Sequence, residues 1–174
     1  YSVMSVGSYI KRAREAAEAE GVRMAFVESY HLHPKLIEAI AIRLRNALAR
    51  FGAPEEQSRV KVLFSAHSLP ERILSMGDPY VDQLLATSRA AAEAAGVKDW
   101  EFTWQSAGRT SEPWLGPDIL DTLDRLAREG VKAVLSAPIG FVSDHLEVLY
   151  DLDIEAKQFA AERGIRFERI DMLN

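Results

Sequence analysis

An α/β fold with a doubly wound, mostly parallel sheet is what this sequence of 174 residues predicts. Three observations carry that reading. Short apolar runs rich in β-branched residues alternate along the chain with longer stretches of helical composition. A glycine follows each of five helical stretches, where a left-handed cap residue belongs. The most unusual residues fall just after strands, where ligands bind in parallel sheets. Repeated strand–helix alternation places helices on both faces of the sheet.

The strand candidates are "VRMAFVE" (22–28), "VKVLFSA" (60–66), "EFTWQS" (101–106), "VKAVLSA" (131–137) and "IRFERI" (165–170). Helical patterns occupy about 8–20, 34–50, 79–95, 117–129 and 144–162. The first is rich in Ala, Glu, Lys and Arg, which suits an exposed helix. Gly21, Gly52, Gly96, Gly130 and Gly164 mark helix ends. Asp78-Pro79 reads as a cap followed by a first-turn proline. Ser68 and Glu71 have the spacing of a capping box. The stretch "GAPEEQS" (52–58) reads as a polar loop, and the chain shows neither an internal repeat nor a low-complexity segment.

Composition narrows the function. With 48% hydrophobic and 27% charged residues the chain is globular and able to bury a core. A net charge of −5 argues against nucleic acid as the main partner, since phosphate binding needs clustered Lys and Arg. No apolar run approaches the ~20 residues that span a bilayer. With no cysteine, disulfides, thiolate zinc sites and cysteine-ligated iron–sulfur clusters are excluded within these residues. No signal segment opens the sequence, and a cytoplasmic location is expected. The first residue is Tyr1 rather than Met, so the chain is expected to be a fragment.

Two constellations carry chemistry. His67 ends the apolar run 60–66, at the lip of a strand. A lone histidine there is more often a hydrogen-bonded structural residue, yet its ordinary pKa of ~6.5 also suits a general base, and its imidazole a metal ligand. Glu147, Asp151 and Glu155 are spaced i, i+4, i+8 along the last helical stretch, a column of like charge that destabilises an isolated helix. Alone, the column reads as a solvated acidic face, but Asp144 and Asp153 break any clean amphipathic pattern. Carboxylates leading to an imidazole suit a divalent cation that sheds its waters stepwise, Fe(II) or Zn(II) alike. His31 and His33 read as a polar turn before Pro34, and His145 as a capping or supporting residue. The long connection "WQSAGRTSEPWLGPD" (104–118) lies at the same edge. Its Trp104 and Trp114 either stack on a flat ligand or lid the core. No phosphate-binding glycine loop or serine-nucleophile motif is present.

The blocks "FSAHSLPERI", "GDPYVDQL", "WQSAGRTSEPWLGPDILDTL" and "PIGFVSDHLEVLYDLDIEA", with "YSVMSVGSYIKRAREAAE" at the start, together resemble the signatures of ferrochelatases over essentially the whole chain. The resemblance implies a chelatase-like half of a two-domain protein that inserts Fe(II) into a porphyrin in haem synthesis. It is closest to the Gram-positive type, which favours coproporphyrin III over protoporphyrin IX. It implies catalytic roles for His67 and Glu147 and metal contacts from His67, Glu147, Asp151 and Glu155. It further implies porphyrin contacts from Tyr9 and Trp114. Iron and porphyrin are then the substrates and partners, with no prosthetic group; a monomer with peripheral membrane contact is expected. Residues 1–21 would be a helix belonging to the other half and 22–174 the second half, and such a fragment is expected to lack activity alone. Two alternatives remain at this level: a cobalt or nickel tetrapyrrole chelatase, and a haem or metal carrier without catalysis.

Overall fold

A computed structural model describes residues 1–173. In chain order it contains a π-helical turn (Val3–Gly7), α1 (Ser8–Ala19), α2 (Pro34–Leu48), a 3-10 turn (Ala49–Phe51), α3 (Pro54–Gln57), β1 (Lys61–His67), α4 (Arg72–Ser75) and α5 (Tyr80–Ala95). There follow β2 (Trp100–Gln105), α6 (Ile119–Arg128), β3 (Ala133–Ala137), α7 (Leu146–Val148), a π-helix (Leu149–Ala156), α8 (Lys157–Glu162) and β4 (Arg166–Arg169).

The four strands form one sheet in the order β2-β1-β3-β4, every neighbouring pair parallel. β1 is interior, and its residues Val62 to Ala66 are buried. That is why Val62, Leu63 and Phe64 read as a continuous apolar run rather than an alternating one. Connections leave β1 toward β2 on one side, and β3 lies on the other, so a crevice opens at the carboxyl end of β1.

Helices cover both faces. On one, Ile40, Leu44 and Ala47 of α2 and Ala91 and Ala92 of α5 pack on Val62, Phe64, Leu135 and Ala137. On the other, Leu123 and Leu126 of α6, Leu152 and Ala156 of the π-helix and Ala160 of α8 pack on Leu63, Val134 and Phe167. The alternation within β1 is therefore between two apolar cores. α5 ends at Gly96, whose φ of +76° is the left-handed cap expected from the sequence. Asp78 Oδ1 accepts from the backbone N–H of Tyr80 at 2.9 Å and so serves the start of α5. Its other oxygen accepts from Ser2 Oγ at 2.8 Å and Val3 N at 2.7 Å, tying down the N-terminal turn.

Four expectations need correction, the first being that 52–58 is a polar loop: it carries the short helix α3, Pro54–Gln57, with a proline in its first turn. Residues 22–28 are not a strand: they pair with no strand among the described residues, and Val22, Met24 and Val27 are exposed, Val27 at 79%. β-propensity supplies the side chains for a sheet but not the neighbouring backbone that makes one. The stretch 144–162 is not one α-helix but α7, a π-helix and α8 in series. Finally, Ser68 does not cap a helix. Its hydroxyl is buried and donates to the carbonyl of Leu115 at 2.8 Å, and the helix that follows, α4, begins only at Arg72.

Phe64 is fully buried in the α2/α5 core and meets Trp100 edge to face, ring centres 5.4 Å apart. Phe64→Ala should lower stability by about 3–5 kcal/mol in chemical denaturation. Val27→Ala, on the exposed segment, should stay within about 0.5 kcal/mol.

Candidate active site

His67 is the last residue of β1. Its imidazole Nδ1 donates to the carbonyl of Ser68, and because a carbonyl only accepts, the proton of the neutral ring sits on Nδ1. The Nε2 lone pair is then free, and it faces Glu147: Nε2 and the Glu147 Oε2 lie 3.8 Å apart. Both side chains keep contact with solvent, at 32% and 52% exposure. The gap exceeds a direct hydrogen bond and suits a water, a proton in transit or a cation between the two groups.

Several buried contacts hold His67 in place. Tyr80 donates its phenolic proton to the His67 carbonyl at 3.0 Å. Burial, with the Asp78 carboxylate adding to it, raises the Tyr80 phenol above its ordinary range, so it remains a donor. The neighbouring Ser68 N–H donates to Gln105 O at 2.7 Å, and inside the sheet Ser65 Oγ donates to Gln105 Oε1 at 2.9 Å.

Glu147 is brought across by the loop after β3. Gly140 donates its N–H to the Ser65 carbonyl at 3.1 Å, and a Cβ placed on it would stand 2.4 Å from the Ala66 Cβ and 2.8 Å from its Cα. Glycine is required because the loop lies directly on the β1 backbone. His145 then caps α7: its Nδ1 accepts from Val148 N at 3.2 Å, and its ring meets Phe141 edge to face at 4.7 Å. This is the capping role expected for it. Glu147 follows in the first turn.

From Glu147 the acidic residues run away from His67 along the π-helix. Asp151 accepts from the hydroxyl of Ser106, which follows β2 with φ +59°, the left-handed region that a serine occupies only under local strain. Glu155 continues toward α6. Asp118, the cap of α6, is raised above the usual carboxylate range chiefly by burial, opposed by the Leu120 N–H and reinforced by Asp121, Glu155 and Asp151. Among the described residues no three histidine or acidic side chains close into one metal cage. The acidic residues form a file with His67 at its end.

His67 also borders a cavity of about 410 Å³ lined with Tyr80, Leu69, Ile139, Gly140 and Val142. A larger hollow of about 540 Å³ lies at the opposite edge of the sheet, around Arg45, Leu48, Val60 and Val97, remote from the histidine–carboxylate pair.

The ferrochelatase family profile matches residues 1–174. The chain belongs to the ferrochelatase family. It is 51% identical over 176 residues to a ferrochelatase of Herpetosiphon aurantiacus, covering all of this chain and 57% of that protein. It is 47% identical over 176 residues to a coproporphyrin III ferrochelatase of Anoxybacillus flavithermus and 44% over 178 residues to a ferrochelatase of Deinococcus radiodurans, each time covering the whole chain and 56% of the relative. The chain thus spans a little over half the length of the curated ferrochelatases it matches.

Within this chain of the ferrochelatase family, the sequence-expected residues fall into two groups. His67, Glu147, Asp151 and Glu155 lie along one edge. Tyr9 is exposed on α1, and Trp114 lies on the loop that bridges to Pro70, three residues beyond His67; neither lines the His67 cavity. Trp114 packs over Gly108, where a Cβ would stand 2.3 Å from its ring, and its Nε1 donates to Thr110 Oγ1 at 2.8 Å. Trp104 is buried and packs on Phe102 and Tyr80, so it lids the core. Sequence reasoning missed Gly140, Tyr80, Ser106 and Arg169. Only Gly140 left a signal, as a glycine outside any helix-ending position.

Asp118→Asn tests the acidic file. Because the folded-state pKa of Asp118 is raised, the folded chain holds its proton to higher pH than the unfolded one, so the carboxylate disfavours folding above that window. Asparagine caps as well and carries no charge. Thermal unfolding at pH 7 should give a midpoint for the variant equal to or above wild type, with the advantage vanishing as pH falls below the raised pKa.

Proposed function

We propose that this chain supplies the metal-handling face of an enzyme that inserts ferrous iron into a porphyrin for haem synthesis, with coproporphyrin III as the substrate. The single observation that carries the reading is the His67–Glu147 pair, 3.8 Å apart at the crevice of a parallel sheet, in a chain of this family. Coproporphyrin III is favoured because it appears in the names of several relatives, including the one from Anoxybacillus flavithermus.

The overall reaction exchanges the two inner N–H protons of the free-base macrocycle for one Fe(II), releasing two protons. A flat ring hides its nitrogen lone pairs; a cleft that bends it exposes them, with strain supplied by contacts at the ring periphery. On this reading the Nε2 lone pair of His67 faces the ring centre and accepts a pyrrole proton or contacts the incoming ion. Ionised Glu147 offsets the positive charge that develops beside it. Asp151 and Glu155 form the approach by which a hydrated cation exchanges water for carboxylate before reaching His67. Tyr9 and Trp114 are proposed porphyrin contacts, of which Tyr9 has the exposed ring such a contact needs. Among the described residues no helix is long and apolar enough to cross a membrane. A cytoplasmic monomer that touches the bilayer only peripherally is part of the same proposal.

The test uses the complete gene product, mixed with coproporphyrin III and Fe(II) under reducing conditions and followed through the Soret band. Wild type should convert free base to metalloporphyrin. His67→Ala and Glu147→Gln should each lower the rate by about 10²-fold or more with the far-ultraviolet circular dichroism unchanged. Near-normal turnover in either variant would overturn the assignment. A carrier would instead take up ready-made haem and leave free base unconverted, and a cobalt or nickel chelatase would prefer Co(II) or Ni(II) to Fe(II).

A further inference from the structure

Asp144 and Asp153 flank Glu147, and neither belongs to the acidic file that ends at His67. Both turn instead to Arg169, the last residue of β4. Arg169 Nε donates to Asp153 Oδ1 at 2.9 Å and Nη2 to Asp153 Oδ2 at 2.8 Å, a two-pronged contact of the geometry that a guanidinium alone provides. The same Nη2 reaches Asp144 Oδ1 at 3.1 Å. Nη1 donates to the Ile170 carbonyl at 3.2 Å, fixing the fork to its own strand. The side chain is only 13% exposed, so these pairs are shielded far more than ordinary surface ion pairs.

The placement matters because of what lies between the two aspartates. Asp144 precedes the cap His145, and Asp153 sits inside the π-helix. Glu147 and Asp151 lie between them. One guanidinium, rooted in the sheet, grips the segment at both ends.

We propose that Arg169 is a positioning residue: by clamping Asp144 and Asp153 together it sets the distance of Glu147 from His67 and the direction of the acidic file. It touches neither the metal path nor the cavity beside His67 and acts through the segment it holds. The two carboxylates share one cation, so Arg169 offsets one of their two negative charges where it holds the segment. The inference rests on the metal-insertion reading for its kinetic consequence, while its geometric content stands apart from it.

The experiment uses the complete gene product and compares wild type, Arg169→Gln, Arg169→Lys and Asp144→Asn. Insertion kinetics should show a metal KM raised about tenfold in Arg169→Gln, the lower end of the loss typical for residues that orient ligands, with the porphyrin KM within about twofold. Arg169→Lys, which keeps the charge but not the fork, should recover part of the loss. Asp144→Asn leaves the Asp153 contact intact and should raise the metal KM about threefold with an unchanged melting temperature. It decides the matter if Arg169→Gln does not fold. Hydrogen exchange read on residues 144–153 should speed up in Arg169→Gln or Asp144→Asn while β1 keeps wild-type protection. Unchanged metal KM in the folded variants, or a loss of kcat that merely follows the folded fraction, overturns the clamp. If wild type inserts no metal, the insertion reading fails. In that event a crystal structure of Asp144→Asn decides the clamp: a displaced Glu147 supports it, and an unmoved His67–Glu147 distance overturns it.

Discussion

The backbone of Gly140 rests on Ala66 with no room for a side-chain carbon, and the geometry of the site depends on that close approach. β1 is interior, so its carboxyl end is hemmed by β2 and by the loop after β3. Had that loop stood off by the width of a methyl group, Glu147 would leave the reach of His67. A packing limit between two backbones is thereby converted into a distance between two reactive side chains. The burial of Ala66, Ser65 and Gln105 below keeps the surface on which the loop rests from yielding.

Electrostatics in the last helical region sort into two systems that sequence alone merges. Glu147, Asp151 and Glu155 face the site edge, and their mutual repulsion is relieved only in part, by Ser106 donating to Asp151. Asp144 and Asp153 share the single positive charge of Arg169 behind them. Negative charge is thus left on the side that carries His67 and partly offset on the other.

Much of this arrangement was legible beforehand. The run 60–66 announced a strand, and His67 stood out at its lip, where a core residue is not expected. The i, i+4, i+8 spacing exposed the acidic column. Asp144 and Asp153 stood out as breaks in amphipathicity, but their partner lies on β4, a contact across the sheet that no local pattern encodes. The segment 22–28 misled because β-branched composition states a preference and not a partner. Ser68 misled because its capping spacing competed with a buried carbonyl, that of Leu115, brought near by the long loop. The π-helix left no recognisable mark, since hydrogen bonding one residue wider needs no special side chains.

That wider winding has a consequence for how this stretch can change over time. Residues 149–156 hold their side chains against α6 and the sheet through the number of residues as well as their kind. A deletion that the winding did not absorb would turn everything upstream by about 100° around the axis. Glu147 would then face away from His67 although neither of those two residues had changed. Outside Asp151, Asp153, Glu155 and the buried Leu152 and Ala156, the segment has more freedom in the kind of its residues than in their number.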